Sequence, residues 1–175
     1  MVSVEEATSI ILSHPFIPST EKLEIVKAAG RILAQSIEAD RDFPPFDRVS
    51  MDGIAISFQM YQKGVRSFGI QEVQAAGKPQ LKLTEAIKCI EVMTGAMLPE
   101  GTDTVIRYED LEIKNKIAVI ITTGIIKGQN IHFRGVDAKK KDILLSTGLK
   151  ISPAEVALLA SIGKSHVEVY ASPRV

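Results

Sequence analysis

Asp52 is the candidate with the most constrained surroundings in this chain. It lies within Arg41-Asp-Phe-Pro-Pro-Phe-Asp-Arg-Val-Ser-Met-Asp-Gly-Ile-Ala55, which combines charge, rigid proline and a turn glycine around one short carboxylate. Pro44 and Pro45 fix φ at two successive residues and push Phe43 toward extended geometry, so Ser50 to Gly53 is reached with little freedom. Such a segment holds a side chain still at low entropic cost. The competing reading is a structural Asx-turn before Gly53. Further along stand the Thr94 hydroxyl beside flexible Gly95, a second carboxylate at Asp137, and a permanent or switchable cation at Arg134 or His132. Asp52 and Asp137 together could hold Mg²⁺ through oxygen, with retained waters and substrate oxygens completing the shell. The Thr94 hydroxyl with neighbouring backbone amides suits an oxyanion. Each has a structural alternative: Thr94 as a strand-end hydroxyl bonded to backbone, and Arg134 as the partner of Asp137 or another carboxylate.

The elements that must position these groups divide by texture. Ser3 and Glu6 form a capping box, and Val4, Ala7, Ile10 and Ile11 share one face, which predicts a helix over residues 3–13 that Pro15 ends. Residues 21–25 read as a strand or a first helical turn, and the spacing of Ile32, Leu33 and Ile37 after Gly30 predicts a helix over 31–37. From about residue 42 to 139, short β-branched runs alternate with Gly, Pro, Asn and Thr, which predicts strands at 54–56, 68–73, 89–93, 104–107 and 117–123. Residues 110–113 and 117–120 flank a polar turn and read as a hairpin. Helix returns where Ser152 caps, Pro153 takes the first position, Glu155 completes the box and Gly163 stops it. His166–Tyr170 alternates as a strand. The expected fold is α+β: a helical domain, residues 1–40 and 141–175, split in sequence by an inserted β-rich domain, residues 41–140.

Composition removes several classes of function. Lys plus Arg equals Asp plus Glu at 21 each, so a dedicated nucleic-acid binder is not expected. The one basic run, Lys139-Lys-Lys141, reads as a solvated loop, with an anionic-ligand role as the alternative. Cys89 is the single cysteine, which excludes a disulfide framework; its apolar neighbours predict a buried strand position and fit a reducing cytosol. His14, His132 and His166 lack metal-ligand spacing. Phosphate-binding glycine loops and a Gly-x-Ser-x-Gly elbow are absent. Acids at Glu5 and Glu6 interrupt any apolar leader, and no run is long enough to span a bilayer, so the expectation is a cytoplasmic protein that is neither exported nor embedded in a membrane.

Four segments occur in an informative order: the Asp52 stretch, then Val92-Met-Thr-Gly-Ala-Met-Leu-Pro-Glu-Gly-Thr-Asp-Thr-Val-Ile106, then Gly128-Gln-Asn-Ile-His-Phe-Arg-Gly-Val-Asp137, then Leu158-Leu-Ala-Ser-Ile-Gly163 with Pro173-Arg-Val175. From about Ala7 to the last residue, they resemble the molybdopterin molybdenumtransferases, the family of MoeA and the gephyrin E domain. The resemblance implies an elongated helical first domain and a β-rich second, with an α/β pterin-binding domain and a small β domain following in the family but not in this sequence. It implies an amino-terminal portion, inactive alone, of an enzyme in molybdenum cofactor biosynthesis that cleaves adenylyl-molybdopterin, releases AMP and inserts molybdate with Mg²⁺. By the same resemblance Asp52, Thr94 and Asp137 are catalytic, Asp52 and Asp137 also bind the metal, and Ser50, Gly95, His132 and Arg134 bind substrate. The implied partners are a second copy in a homodimer, the missing pterin-binding domains in cis or trans, and the enzyme that makes adenylyl-molybdopterin. The rival reading is a non-catalytic dimerisation or scaffolding module of the same fold. Three positions depart from the pattern: His132 replaces an arginine, Val136 a glutamate and Ile54 a tyrosine. The first gives up a permanent cation where oxyanion attraction is wanted.

Overall fold

A computed structural model describes residues 2–14 and 18–172. Pro15, the expected helix stop, and the Pro173–Val175 segment lie outside the described residues. The elements in chain order are α1 (Val4–Ser13), β1 (Thr20–Glu24), β2 (Ile37–Glu38), β3 (Arg48–Val49), β4 (Gly53–Ile56), α2 (Phe58–Gln62), β5 (Ser67–Gln74), β6 (Lys88–Val92), β7 (Thr104–Arg107), β8 (Leu111–Lys114), β9 (Ile117–Ile120), β10 (Ile131–His132), β11 (Ile143–Leu145), α3 (Pro153–Ser161) and β12 (His166–Tyr170). They fall into two compact units, one formed by the residues up to Asp40 with those from Lys141 onward, the other by Arg41–Lys140.

In the discontinuous unit, α1 and α3 both start in a complete capping box. Ser3 and Glu6 satisfy each other's backbone N–H groups in α1, as Ser152 and Glu155 do in α3, where Pro153 occupies the first turn. Strand β1 pairs antiparallel with β12 from Thr20↔Tyr170 to Glu24↔His166, and β2 pairs with β11. Val167, Val169, Leu33, Ile151 and Leu159 are buried here.

The helix that the spacing of Ile32, Leu33 and Ile37 predicts does not form. Gly30 has φ +84°, and the amides that would start a helix bond elsewhere: Leu33 N–H donates to the Leu149 carbonyl at 2.8 Å and Ala34 N–H to the Glu168 carbonyl at 2.9 Å. Partners more than a hundred residues away outcompete the local ladder, so the unit mixes helix with paired strand. The apolar stripe of α1 is also not a core face in this chain: Val4, Ile10, Ile11 and Leu12 are 57–79% exposed.

The continuous unit is built on a six-stranded sheet in the order β7-β4-β6-β5-β9-β8, antiparallel except for β5 against β6. β4 lies between β7 and β6, one strand in from the edge, and is buried throughout, as Ile54-Ala-Ile56 suggests. Alternation sends Ile54 and Ile56 to one face with Phe68, Cys89 and Ile106, and Ala55 to the other with Val49, Ile90, Val92 and Val105. β8 and β9 form the expected hairpin, turning at Asn115 and Lys116 with φ of 50° and 59°, the paired positive values of a tight two-residue turn. Beside the sheet, β3 pairs with β10.

Candidate functional site

The Pro-Pro segment is fastened to the 133–138 loop rather than left as a free linker. Phe43 and Ala138 exchange backbone bonds, Asp137 N–H donates to the Phe43 carbonyl at 2.9 Å, and Gly135 N–H donates to the Pro44 carbonyl at 3.0 Å. Pro44 is buried and lacks an N–H, so it offers only its carbonyl to this pairing. The chain then enters β3, which has neighbours on both sides. Val49 pairs with Ile131, donates to the Ala96 carbonyl and accepts from Gly95 N–H at 2.9 Å, while Ser50 N–H donates to the Asn130 carbonyl at 3.1 Å. Segments near residues 50, 95 and 131 thereby run side by side, with β3 between β10 and the turn at Thr94-Gly95. Gly95 has φ +85°, which lets the chain turn immediately after Thr94.

Asp52 lies three residues beyond β3, in the bend that leads into β4. Its Oδ1 accepts from Thr94 N–H at 2.6 Å and from the Thr94 hydroxyl at 2.7 Å, and its carbonyl accepts from Tyr108 N–H at 3.1 Å. The two Thr94 bonds hold the exposed carboxyl below the ordinary aspartate range, so it is an anion at neutral pH. Among the described residues, Oδ2 has no hydrogen-bond partner. Gly53 admits no side chain: a Cβ there would lie 1.9 Å from the Ile106 carbonyl oxygen and 2.8 Å from the Arg107 Cα. The glycine after Asp52 is therefore fixed by the close approach of β7.

The other sequence candidates have partners of their own. His132 Nε2 lies 2.9 Å from Asp137 Oδ1, with the imidazole half-buried and the carboxylate exposed. Arg134 Nε donates to Asp42 Oδ2 at 2.6 Å, and Arg134 N–H donates to Asp47 Oδ1 at 2.8 Å. Asp42 also accepts from Lys140 N–H at 3.0 Å; this bond and the Arg134 guanidinium lower its pKa. The structure thus brings together Asp52 with Thr94, and His132 with Asp137, while Arg134 pairs with Asp42 rather than Asp137. Asp52 and Asp137 sit in different hydrogen-bonded pairs. Among the described residues, no cluster of three or more His, Cys, Asp or Glu side chains is arranged to hold a metal. Asp42 and Asp47 were not singled out as site residues, although both flank the prolines. Tyr108 and Glu91, whose side chains bond to each other near Asp52, carried no signal in the sequence.

With this geometry in view, the comparisons are decisive for the family. Residues 2–163 match the family model for the MoeA N-terminal region, domains I and II. The chain belongs to the MoeA family. It is 38% identical over its whole length to the molybdopterin molybdenumtransferase of Synechocystis sp., of which it covers 45%, and 33% identical to that of Haemophilus influenzae, of which it covers 43%. A crystal structure of the MoeA protein from Pyrococcus horikoshii OT3 superposes with a TM-score of 0.90 at 32% identity, over 99% of this chain and 47% of the other. The chain therefore spans a little under half the length of these MoeA relatives. No helix among the described residues is long and apolar enough to cross a membrane.

Proposed function

We propose that this chain supplies one wall of the active site of a molybdopterin molybdenumtransferase, acting in molybdenum cofactor biosynthesis with the pterin-binding domains in cis or trans. Adenylyl-molybdopterin is cleaved, AMP leaves, and molybdate is placed on the dithiolene sulfurs. The observation that carries the reading is the convergence of the segments at residues 50, 95 and 131 side by side, ending in the Asp52–Thr94 pair. In this reading the discontinuous unit is the family's first domain and Arg41–Lys140 its second.

The residues divide the work by chemistry. Asp52 keeps Oδ2 available while Thr94 locks Oδ1, an arrangement suited to a hard cation that retains most of its waters, and Asp137 offers a second carboxylate. In this reading Asp52 Oδ2 would hold Mg²⁺ with water completing its shell, and the ion would neutralise phosphate charge as the AMP bond breaks. Among Ser50, Thr94 and Gly95, the Ser50 hydroxyl is the donor left to meet an oxyanion, because the Thr94 hydroxyl donates to Asp52, Gly95 N–H to the Val49 carbonyl and Ser50 N–H to the Asn130 carbonyl. Arg134, bonded to Asp42 through Nε, keeps its terminal nitrogens without a partner among the described residues and can meet substrate through them. His132 replaces permanent charge with an imidazole held by Asp137. The protein works in the cytoplasm as a homodimer, receiving adenylyl-molybdopterin from the enzyme that makes it. The exposed aliphatic face of α1 supports association with another surface.

The test is to join this chain to the carboxy-terminal half of the Synechocystis relative and measure AMP release from adenylyl-molybdopterin with molybdate and Mg²⁺. Release by the fusion, and none by this chain alone, is the expected result. A folded fusion without release contradicts it and leaves the scaffolding reading.

A further inference from the structure

We propose that Tyr108 and Glu91 form a positioning pair that holds the Asp52–Thr94 contact in register from the opposite side of β4. The proposal rests on the reading of Asp52 as a working carboxylate. It is carried by a closed circuit of contacts in the sheet. Asp52 is anchored twice, by Tyr108 N–H on its carbonyl and by Thr94 on its carboxylate. Those anchors belong to different neighbours of β4: Tyr108 directly follows β7, and Thr94 lies two residues beyond β6. The Tyr108 hydroxyl donates to Glu91 Oε1, and Glu91 lies in β6 opposite Ile54 of β4. The side-chain bond thus ties the end of β7 to β6 across the strand that Asp52 begins. Besides this tie, the two sides are joined through the ladders of β4 and, further from Asp52, through the 129–131 segment, which bonds to Val105 and to Ser50.

The pair is durable by its chemistry. Partial burial, then the Glu91 bond and the charges of Glu91 and Asp52, raise the phenol pKa, so Tyr108 keeps its proton and remains a donor at any working pH. Gly53 lacks a side chain between the two anchors, so β7 can come close and the circuit remains short.

Amide hydrogen exchange in Tyr108→Phe, Glu91→Ala and Glu91→Gln tests the pair without needing any activity. Failure here is therefore distinct from failure of the enzymatic reading. Tyr108→Phe and Glu91→Ala remove the tie and are expected to speed Thr94 N–H exchange about tenfold relative to Ile54 and Ile90. Glu91→Gln keeps an acceptor oxygen for the phenol and is expected to stay within about twofold of the parent. Equal acceleration at Thr94, Ile54 and Ile90 would mean a general stabilising contact and overturn the proposal. An unchanged Thr94 rate in both tie-breaking variants would overturn it too. If Tyr108→Phe does not fold, the contrast between Glu91→Ala and Glu91→Gln decides by the same criterion.

Discussion

Replacing Gly53 with alanine should damage the sheet at the point where the proposed site begins. The added Cβ would sit 1.9 Å from the Ile106 carbonyl oxygen, far inside van der Waals contact, and 2.8 Å from the Arg107 Cα. Both obstacles are backbone, so no side-chain rotation relieves the clash. β7 must move away from β4, which strains pairing at Gly53↔Arg107 and Ile54↔Ile106. Overpacking of a closed interior costs about 1–3 kcal/mol and a weakened backbone hydrogen bond about 1 kcal/mol more, so a loss of roughly 2–4 kcal/mol is expected. Because the chain has two units, a single melting curve would blend them. Urea dependence of amide exchange at Ile54 and Ile90 reads the six-stranded unit directly, with Val167 in the other unit as the internal control. A loss below about 1 kcal/mol at the sheet amides would refute the steric account.

Asp42 and Asp52 both have pKa values lowered in the folded state, so their stabilisation is fully present above the unfolded aspartate value and is lost as pH falls through the folded values. Acid titration of the Arg41–Lys140 unit by circular dichroism should show this loss at pH below about 4, and Asp42→Asn should flatten it. Cys89 is buried and its thiol is pushed up to about 12, so thiol reagents at pH 8 should label it only as fast as the sheet opens; rapid labelling of the folded chain would contradict its placement. Lys116→Gly relieves a side chain held at φ 59° in the β8–β9 turn and should stabilise the hairpin by about 0.5–1 kcal/mol, measured by urea unfolding, whereas destabilisation would contradict the turn assignment.

What could be read in the sequence was what local chemistry determines. The capping boxes at Ser3 and Ser152, the polar hairpin turn around Asn115 and the strand at Thr104–Arg107 each depend on neighbours within a few positions. Ile32 and Leu33 misled because Leu33 N–H donates to the Leu149 carbonyl and the Ile32 carbonyl accepts from Tyr170 N–H, which no local period records. The stripe in α1 shows the same limit: spacing tells which residues share a face, but not whether this chain covers it. At the site, the order of the motifs identified Asp52 and Thr94, and their contact spans 42 positions. Arg134 could be placed against a carboxylate but not against Asp42, which is 92 positions away. Tyr108 and Glu91 stayed unseen because their significance comes from flanking β4 on opposite sides, a relation set by strand order rather than by residue spacing.

The most direct test of the account is the rate of AMP release by the fusion with the Synechocystis carboxy-terminal half, compared with the same fusion carrying Asp52→Asn. Asparagine keeps the Thr94 contact geometry while removing the charge, so folding should be preserved and release should fall about 100-fold or more, the scale expected when a positioned charged group is removed from an active site. Release at the parent rate from a folded Asp52→Asn protein would contradict the central claim and make the Asp52–Thr94 pair a structural turn.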